Sequence, residues 1–127
     1  MVEYLAAPLV EQIVVEYLNA KLTEPVATEV PNPRPEAFAR VILTGGAGRT
    51  GLVTHRASVT VESWGQTAYG AATLARLVEA YMLSLPLEVG NVYSVAAFAA
   101  PSNLPDPTSG QDRYTATYEI AVRAVAL

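Results

Sequence analysis

One glycine pattern in the chain has the spacing of a phosphate-binding motif. Residues 46–51 read GAGRTG and match GxGxxG, in which the glycines follow a strand and open a helix whose N-terminus holds the pyrophosphate. Residues 52–62 are rich in β-branched side chains, which favours a second strand over a helix, and no lysine follows Gly51 as a P-loop requires. We therefore predict a hairpin tip here and no nucleotide binding.

The only histidine, His55, could join a serine and an aspartate in a hydrolytic triad. The nearby Ser58 and Ser63 lie inside a strand pattern without the GxSxG sequence of a nucleophile elbow, and the candidate acids are Asp106 and Asp112. His55 shares its strand parity with apolar neighbours, which predicts that it packs at a sheet edge or an interface. The sequence therefore predicts that the protein is not an enzyme, with no catalytic residue and no cofactor.

Composition excludes several further kinds of site. The chain has no cysteine and one histidine, which rules out disulfides, thiolate catalysis and zinc sites built from these residues. Eight basic and twelve acidic residues give a formal net charge of −4, and the arginines are scattered, so a groove that grips nucleic acid is not expected. The N-terminal residues lack a basic region, and glutamates interrupt their apolar run. This pattern argues against a signal peptide and against a membrane span. The predicted location is the cytoplasm.

Most of these residues fall on or beside a predicted hairpin that organises the chain. Residues 38–43 and 52–64 form two extended segments. In the second segment Val59 and Val61 alternate with Thr60, Glu62 and Trp64, which is the pattern of a strand with one covered face. Residues 45–51 are predicted to join the two segments as a glycine-rich hairpin loop.

Two helices are predicted, over residues 8–21 and 68–85. Pro8 suits a first helical position, Thr67 suits an N-cap, and Pro86 predicts the end of the second helix. The buried positions expected in the first helix recur at helical spacing and are Leu9, Val10, Ile13, Val14, Tyr17 and Leu18. Those expected in the second helix are Leu74, Leu77, Val78, Tyr81 and Leu85.

Three more strands are predicted, over residues 26–30, 89–100 and 113–125. The last has the clearest alternation, with Tyr118 and Ile120 on one face and Thr117 and Glu119 on the other. Prolines at 31, 33 and 35 make a stiff connector, and residues 101–112 a proline-rich loop. The predicted fold is one α+β domain over residues 1–127, a mostly antiparallel sheet of four to five strands with both helices on one face.

Three stretches of the chain resemble the tail terminator proteins of long-tailed, siphovirus-type bacteriophages. The first is the strand HRASVTVESW at residues 55–64, which runs into an alanine-rich helix. The second is SNLPDP at residues 102–107, followed by Arg113-Tyr114 and a final strand that ends in Val122-Arg123. The third is the early helix, which ends shortly before a PxPxP-type connector. This chain has His55 where an acidic residue is common in that family.

The resemblance implies an α+β subunit of a ring, hexameric in this family, at the head-proximal end of the tail tube. Such a ring stops tube polymerisation and joins the tail to the head. The implied partners are further copies of this chain, the major tail tube protein and the head–neck connector or stopper protein. DNA would pass through the ring without specific binding, which agrees with the negative net charge. The implied location is the virion tail, after assembly in the host cytoplasm, with no role in a membrane.

We expect assembly contacts from the glycine-rich tip and from the proline-rich loop. The candidate residues are Gly46, Gly48, Arg49, Thr50, Gly51, His55, Arg56, Asn103, Asp106 and Arg113. Because glycine-rich backbone is costly to order, residues 45–51 are predicted to be mobile until a neighbour or the tube supplies hydrogen bonds and a partner for Arg49. Two alternatives remain open, namely another phage head–tail connector or tail completion protein, and a small-molecule enzyme that uses the glycine loop.

Overall fold

The computed structural model describes residues 2–127, and in them a five-stranded sheet carries two helices on one face. The predicted α+β class with a mostly antiparallel sheet is confirmed. In chain order the elements are β1 (Leu5–Ala6), α1 (Val10–Lys21), β2 (Val26–Ala27), β3 (Phe38–Thr50), β4 (Thr54–Gly65), α2 (Ala68–Glu88), β5 (Val92–Asn103), β6 (Asp112–Arg123) and β7 (Val125–Ala126). The short β1 and β7 form a separate antiparallel pair.

The strand order of the main sheet is β2-β3-β4-β6-β5. Only β2 runs parallel to its neighbour, and the other pairs are antiparallel. The central pair β4–β6 keeps one register from Thr54 opposite Arg123 to Gly65 opposite Asp112, whereas β3 and β5 both contain register shifts. Because a bulge bends its strand, the outer strands curve while the centre of the sheet stays regular.

The core lies between the sheet and the helices. Alternate residues of β4 and β6 face it, and Tyr118 and Ile120 are completely buried, as the alternation predicts. The helices supply Val14 and Leu18 from α1 and Val78, Met82 and Leu85 from α2. Burial of these side chains is the main source of stability.

A polar contact fixes the two helices to each other. The Tyr17 hydroxyl donates to the Tyr81 carbonyl at 2.9 Å and to the Glu88 carboxylate at 2.7 Å, and Lys21 pairs with the other Glu88 oxygen at 2.7 Å. Hydrogen bonds from Lys21 and Tyr17 lower the pKa of Glu88, while burial and the Glu88 carboxylate raise the pKa of the Tyr17 hydroxyl.

The helices differ from the prediction in two boundaries and in one buried position. The first helix begins at Val10, so Pro8 lies before it and Leu9 is the exposed N-cap residue. The second helix continues through Pro86 to Glu88, because a proline in the last turn removes only one backbone hydrogen bond. Leu77, predicted to be buried, is 42% exposed, since it lies on the flank of α2 while Met82 occupies the sheet-facing side.

Three predicted strands have different bounds, and the last of them, predicted at residues 113–125, lies at Asp112–Arg123. The strand predicted at residues 26–30 is limited to Val26–Ala27, where the Asn19 side chain bonds both the N–H and the carbonyl of Val26 and so closes its outer edge. The strand predicted at residues 89–100 lies at Val92–Asn103, because Val89 still caps α2. The pair β1–β7 was not predicted, since two residues are too few for a periodic pattern.

The glycine-rich segment is mostly strand rather than loop. Residues 45–50 belong to β3, with Gly45 opposite Ser58 and Gly48 opposite Arg56, and the turn is limited to residues 51–53. The glycines adopt positive φ angles that form bulges within the ladder, which the sequence pattern alone did not distinguish from a loop. The proline-rich loop is likewise shorter than predicted and covers residues 104–111.

Candidate assembly surface

The predicted interface residues form two groups at opposite ends of the sheet. Residues 46–56 lie at the hairpin end, while Asn103, Asp106 and Arg113 lie at the loop end, where β4 leads to α2. The twelve residues of β4 join the two ends and span about 36 Å at about 3.3 Å per residue. The structure therefore provides two separate regions rather than one site.

Arg49 is already held inside the chain at the hairpin end. Its Nη2 donates to the Leu5 carbonyl at 2.9 Å, and its Nε donates to the Leu52 carbonyl at 3.2 Å. These bonds contrast with the expectation that a neighbouring molecule supplies the partner of Arg49. The side chain that the turn exposes most is Leu52, which is 76% exposed, beside the exposed Thr50 and Gly51.

Gly46 allows the two strands of the hairpin to approach closely. Its φ is 106°, and an added Cβ would lie 2.6 Å from the Ser58 amide nitrogen and 2.8 Å from the Arg56 carbonyl oxygen. Gly48 also has a positive φ, but open space surrounds the position of its Cβ. Gly46 is therefore required by packing as well as by backbone conformation, whereas Gly48 is required by conformation alone.

His55 lies on the helix side of β4, at an apolar cavity of about 540 Å³. The cavity is bounded by the start of α1 and by Leu43 of β3, and its polar groups come from Glu11, Gln12, Thr28 and His55. Because β4 lies between β3 and β6, His55 is not at a sheet edge, and its position at an interface between molecules stays a prediction. The half-buried imidazole instead lies near the end of an inner strand.

The residues considered for a hydrolytic triad lie far from one another. Ser58 is on the uncovered face of the sheet, where its hydroxyl accepts a hydrogen bond from Thr44, and His55 is on the opposite face. Ser63 is buried and lies eight residues from His55 along β4, which is about 26 Å at about 3.3 Å per residue. The Asp106 carboxylate accepts hydrogen bonds from Ser109 in the distant loop.

The glycine motif likewise lacks the geometry of a dinucleotide site. A turn and then β4 follow Gly51, and the first helix after the motif begins at Ala68. The predicted strand after the glycines is confirmed in β4. The glycines therefore do not open a helix, as the dinucleotide-binding pattern requires.

The face of the sheet that no helix covers, here called the open face, carries paired charges. Arg56 Nη1 lies 3.0 Å from the Glu119 carboxylate across β4 and β6. Nearer the loop end, the buried Glu62 lies between Arg113 at 3.2 Å and Arg40 at 3.6 Å. With Asp106 beside Arg113 at 3.9 Å, each of these three arginines has a carboxylate within 4 Å, and the three pairs of charges balance.

Arg113 links the open face to the proline-rich loop. Besides its bond to Glu62, it donates through Nε to the Leu104 carbonyl at 2.9 Å, and its Nη1 lies 3.9 Å from Asp106. Hydrogen bonds from Ser109 lower the pKa of Asp106, with a smaller contribution from Arg113. Two of the predicted interface residues, Asp106 and Arg113, therefore stabilise the loop itself, while Asn103 is exposed at the end of β5.

Trp64 closes the loop end of the open face. Its ring stacks on Phe38 with centroids 5.0 Å apart, and the guanidinium groups of Arg34 and Arg113 lie 5.2 and 5.3 Å from its centre. Gln111 accepts a hydrogen bond from Arg34, which ties the proline connector to the loop. The connector and the loop therefore cover this end of the sheet and leave the middle of the open face bare.

The sequence did not reveal two features. One is the set of residues that form ion pairs on the open face, and the other is the pair of long edges of the sheet. Glu62 was assigned to the polar face, but its two arginine partners come from strands whose register the sequence does not specify. The edge strand β5 had a visible signal, because residues 89–105 contain no charged side chain. Edge strands usually carry charges that prevent pairing with other chains, so this absence marks an unprotected edge.

The described residues form no cluster of side chains suited to a metal ion. Within residues 2–127, no cluster of three or more histidine, aspartate and glutamate side chains is placed to hold a metal ion. In the same residues, neither helix combines the length and the apolar character needed to cross a membrane.

Comparison with models of known protein families finds none that matches this chain, and comparison with curated proteins finds no match either. The fold and the arrangement of its surfaces are therefore the basis for the function proposed below.

Proposed function

We propose that the protein is a tail terminator subunit, which assembles with further copies of itself into a ring on the head-proximal end of a bacteriophage tail tube. The observation that carries the proposal is a sheet with one face packed on two helices and an open face whose central arginines are neutralised by adjacent carboxylates. In a ring that holds the helices outside, the open face lines the central channel.

The chemistry of the open face suits a channel through which DNA moves. DNA binds to surfaces whose lysines and arginines displace its counterions. Here Glu119 pairs with Arg56, Glu62 lies between Arg40 and Arg113, and Asp106 lies 3.9 Å from Arg113, so three carboxylates balance three guanidinium groups. Between these pairs Thr60 and Thr117 share a hydrogen bond at 2.9 Å, so small polar groups fill the middle of the face. Such a surface is hydrated but does not hold phosphates.

The proposed partners are the major tail tube protein on one side of the ring and a head–neck connector or stopper protein on the other. The resemblance of residues 55–64 and 102–107 to tail terminators supports this assignment. The hexameric number comes from that resemblance alone. A connector or tail completion protein of similar layout is the alternative that the experiment must distinguish.

The test is to polymerise the tail tube protein of the same genome with and without this chain. The proposal predicts that tubes become limited in length and that each carries a ring at one end in negative-stain images. Tubes of unchanged length without terminal rings would overturn it. A connector would bind preformed tails or heads without stopping the growth of a tube, which separates the alternative.

A second experiment addresses the channel. Glu119→Gln leaves the Arg56 charge unpaired on the open face, whereas Glu29→Gln changes the net charge equally at an exposed position away from the strands. We predict that assembled Glu119→Gln binds duplex DNA at low salt and that the Glu29→Gln control does not. Equal DNA binding by the two variants would mean that the open face does not meet DNA.

A further inference from the structure

The outer edge of β5 is long and carries no charged side chain. This strand is the last in the sheet order, and its twelve residues VYSVAAFAAPSN contain no charge. Natural edge strands are usually shortened, charged or covered, because their free N–H and carbonyl groups pair with other chains. Pro101 and three register shifts interrupt this edge, but no charged side chain lies on it, and Phe98 is 79% exposed.

The opposite edge of the sheet is almost as open. The two-residue β2 pairs only with Ala39 and Arg40, so β3 has no strand partner on its outer side from Val41 to Thr50. One backbone group on this stretch does have a partner, because the Leu43 N–H donates to Glu11 Oε2 at 3.3 Å. Glu11 reaches it from the first turn of α1. A carboxylate thus occupies a donor that an added strand would use.

The two edges are complementary in direction. Three successive antiparallel pairings separate β3 from β5, so these strands run in opposite directions within the sheet. If a second copy stands beside the first with its helices on the same side, its β5 meets β3 as an antiparallel partner. Free edges of about ten and twelve residues are also similar in length.

We propose that β5 of one copy pairs with β3 of the next, and that Glu11 guards the β3 edge in the free chain. The inference rests on the proposed ring and identifies its subunit contact. A second copy is the occupant because the same chain carries both halves of a head-to-tail contact. Closing the contact into a ring removes every free edge, as in a β-barrel, whereas a single added peptide would leave one edge exposed.

Hydrogen exchange of the free and assembled protein tests the contact. On assembly, the backbone amides of residues 41–49 and 93–100 that do not already pair with β4 or β6 should exchange at least about tenfold more slowly. Amides of β4 and β6 are paired in both states and serve as the internal control. Assembly without added protection in both outer strands overturns the inference, and so does a chain that stays monomeric at millimolar concentration.

Cross-linking gives an independent readout, because the chain has no cysteine of its own. Leu43→Cys is combined in turn with Val95→Cys and Ala97→Cys, which lie on the same side of the sheet and sample two registers. Within one chain β3 and β5 are separated by about 14 Å, beyond the reach of a disulfide, so any link joins two copies. Oxidation should give a ladder of linked oligomers. The control is the double variant of Leu43→Cys with Ala80→Cys, whose second cysteine lies on the exposed side of α2. This control should not form linked oligomers.

The variant Glu11→Ala tests whether Glu11 blocks the β3 edge by accepting from the Leu43 N–H. The matched control is Glu29→Ala, which removes one exposed carboxylate without a hydrogen-bond partner among residues 2–127. Losing the competing acceptor should lower the concentration for half-assembly about tenfold in Glu11→Ala, and the control should assemble like the natural chain. Thermal melting of both variants verifies that the fold is intact. Assembly that is unchanged or weakened by Glu11→Ala contradicts the guard role.

These outcomes separate the contact from the proposed function. A ring that caps tubes while its outer strands stay unprotected removes the strand-pairing inference and leaves the terminator proposal standing. Protected edges in an open filament that does not stop tube growth support strand pairing and remove the terminator proposal.

Discussion

The two faces of the sheet are built from the same strands but differ in what they contribute. On the helix face, β4 and β6 present Val59, Val61, Tyr118 and Ile120, all of them buried. On the open face the same strands present hydroxyls and paired charges, and only the loop end is covered. The helix face therefore holds the fold together, and the middle of the open face remains free for an interaction.

The largest difference should follow from truncating matched residues of β6. Ile120→Ala removes a fully buried side chain from the helix face and should lower the free energy of unfolding by about 4 kcal/mol. Thr117→Ala removes one hydroxyl from the open face and should cost about 1 kcal/mol or less. Urea denaturation measures both. Equal costs would mean that both faces are packed.

Within the open face, the covered end should be more sensitive than the middle. Glu62→Gln removes the charge between Arg40 and Arg113 at a residue that is 8% exposed, and should cost about 3 kcal/mol. Glu119→Gln breaks the more exposed pair with Arg56 and should cost about 0.5 kcal/mol. Chemical denaturation of the monomer tests the contrast. A Glu119→Gln variant as unstable as Glu62→Gln would contradict it.

At the hairpin end, substitutions of glycine distinguish the cost of a positive φ from the cost of close packing between β3 and β4. Gly46→Ala combines a positive φ with a Cβ placed against backbone atoms and should cost about 2 kcal/mol or more. Gly45→Ala has the same kind of φ in open space and should cost about 1 kcal/mol. Gly90→Ala, also in open space but without a positive φ, is the neutral control. Equal melting temperatures for all three would contradict the close approach at Gly46.

The smallest expected effect is the acid sensitivity of the proline-rich loop. The hydrogen bonds from Ser109 hold the pKa of Asp106 below its ordinary value of about 3.9. A depressed pKa stabilises the fold above the ordinary value, and that contribution is lost as the pH falls through the lower pKa of the folded state. Asp106→Asn should therefore melt lower than the natural chain at pH 7 and converge with it near pH 2. If the two proteins differ in melting temperature by the same amount at both pH values, the depressed pKa of Asp106 is not the cause of the difference.

The sequence predicted what depends on local pattern and missed what depends on register. The alternation from Arg113 to Val122 and the helical spacing around Val78 predicted the strand, the helix and their buried faces, because periodicity reflects burial directly. The bulges at Gly45 and Gly48 were predicted as a loop, since glycine permits both conformations.

The candidate surface was less predictable than the fold. Arg113 and Asp106 were predicted as interface residues, and the sequence did not show that both also hold the proline-rich loop in place. Glu11 was not among the buried positions predicted for its helix, and its contact with Leu43 joins residues 32 positions apart. Contacts at such a distance follow from the packing of α1 on the sheet, which no local pattern specifies.

Imaging the purified chain by negative-stain electron microscopy at increasing concentration tests the central claim most directly. The account predicts rings with a central hole, in which the helices lie outside and the open face of the sheet lines the hole. A compact monomer at every concentration, or rings whose helices line the hole, would contradict it.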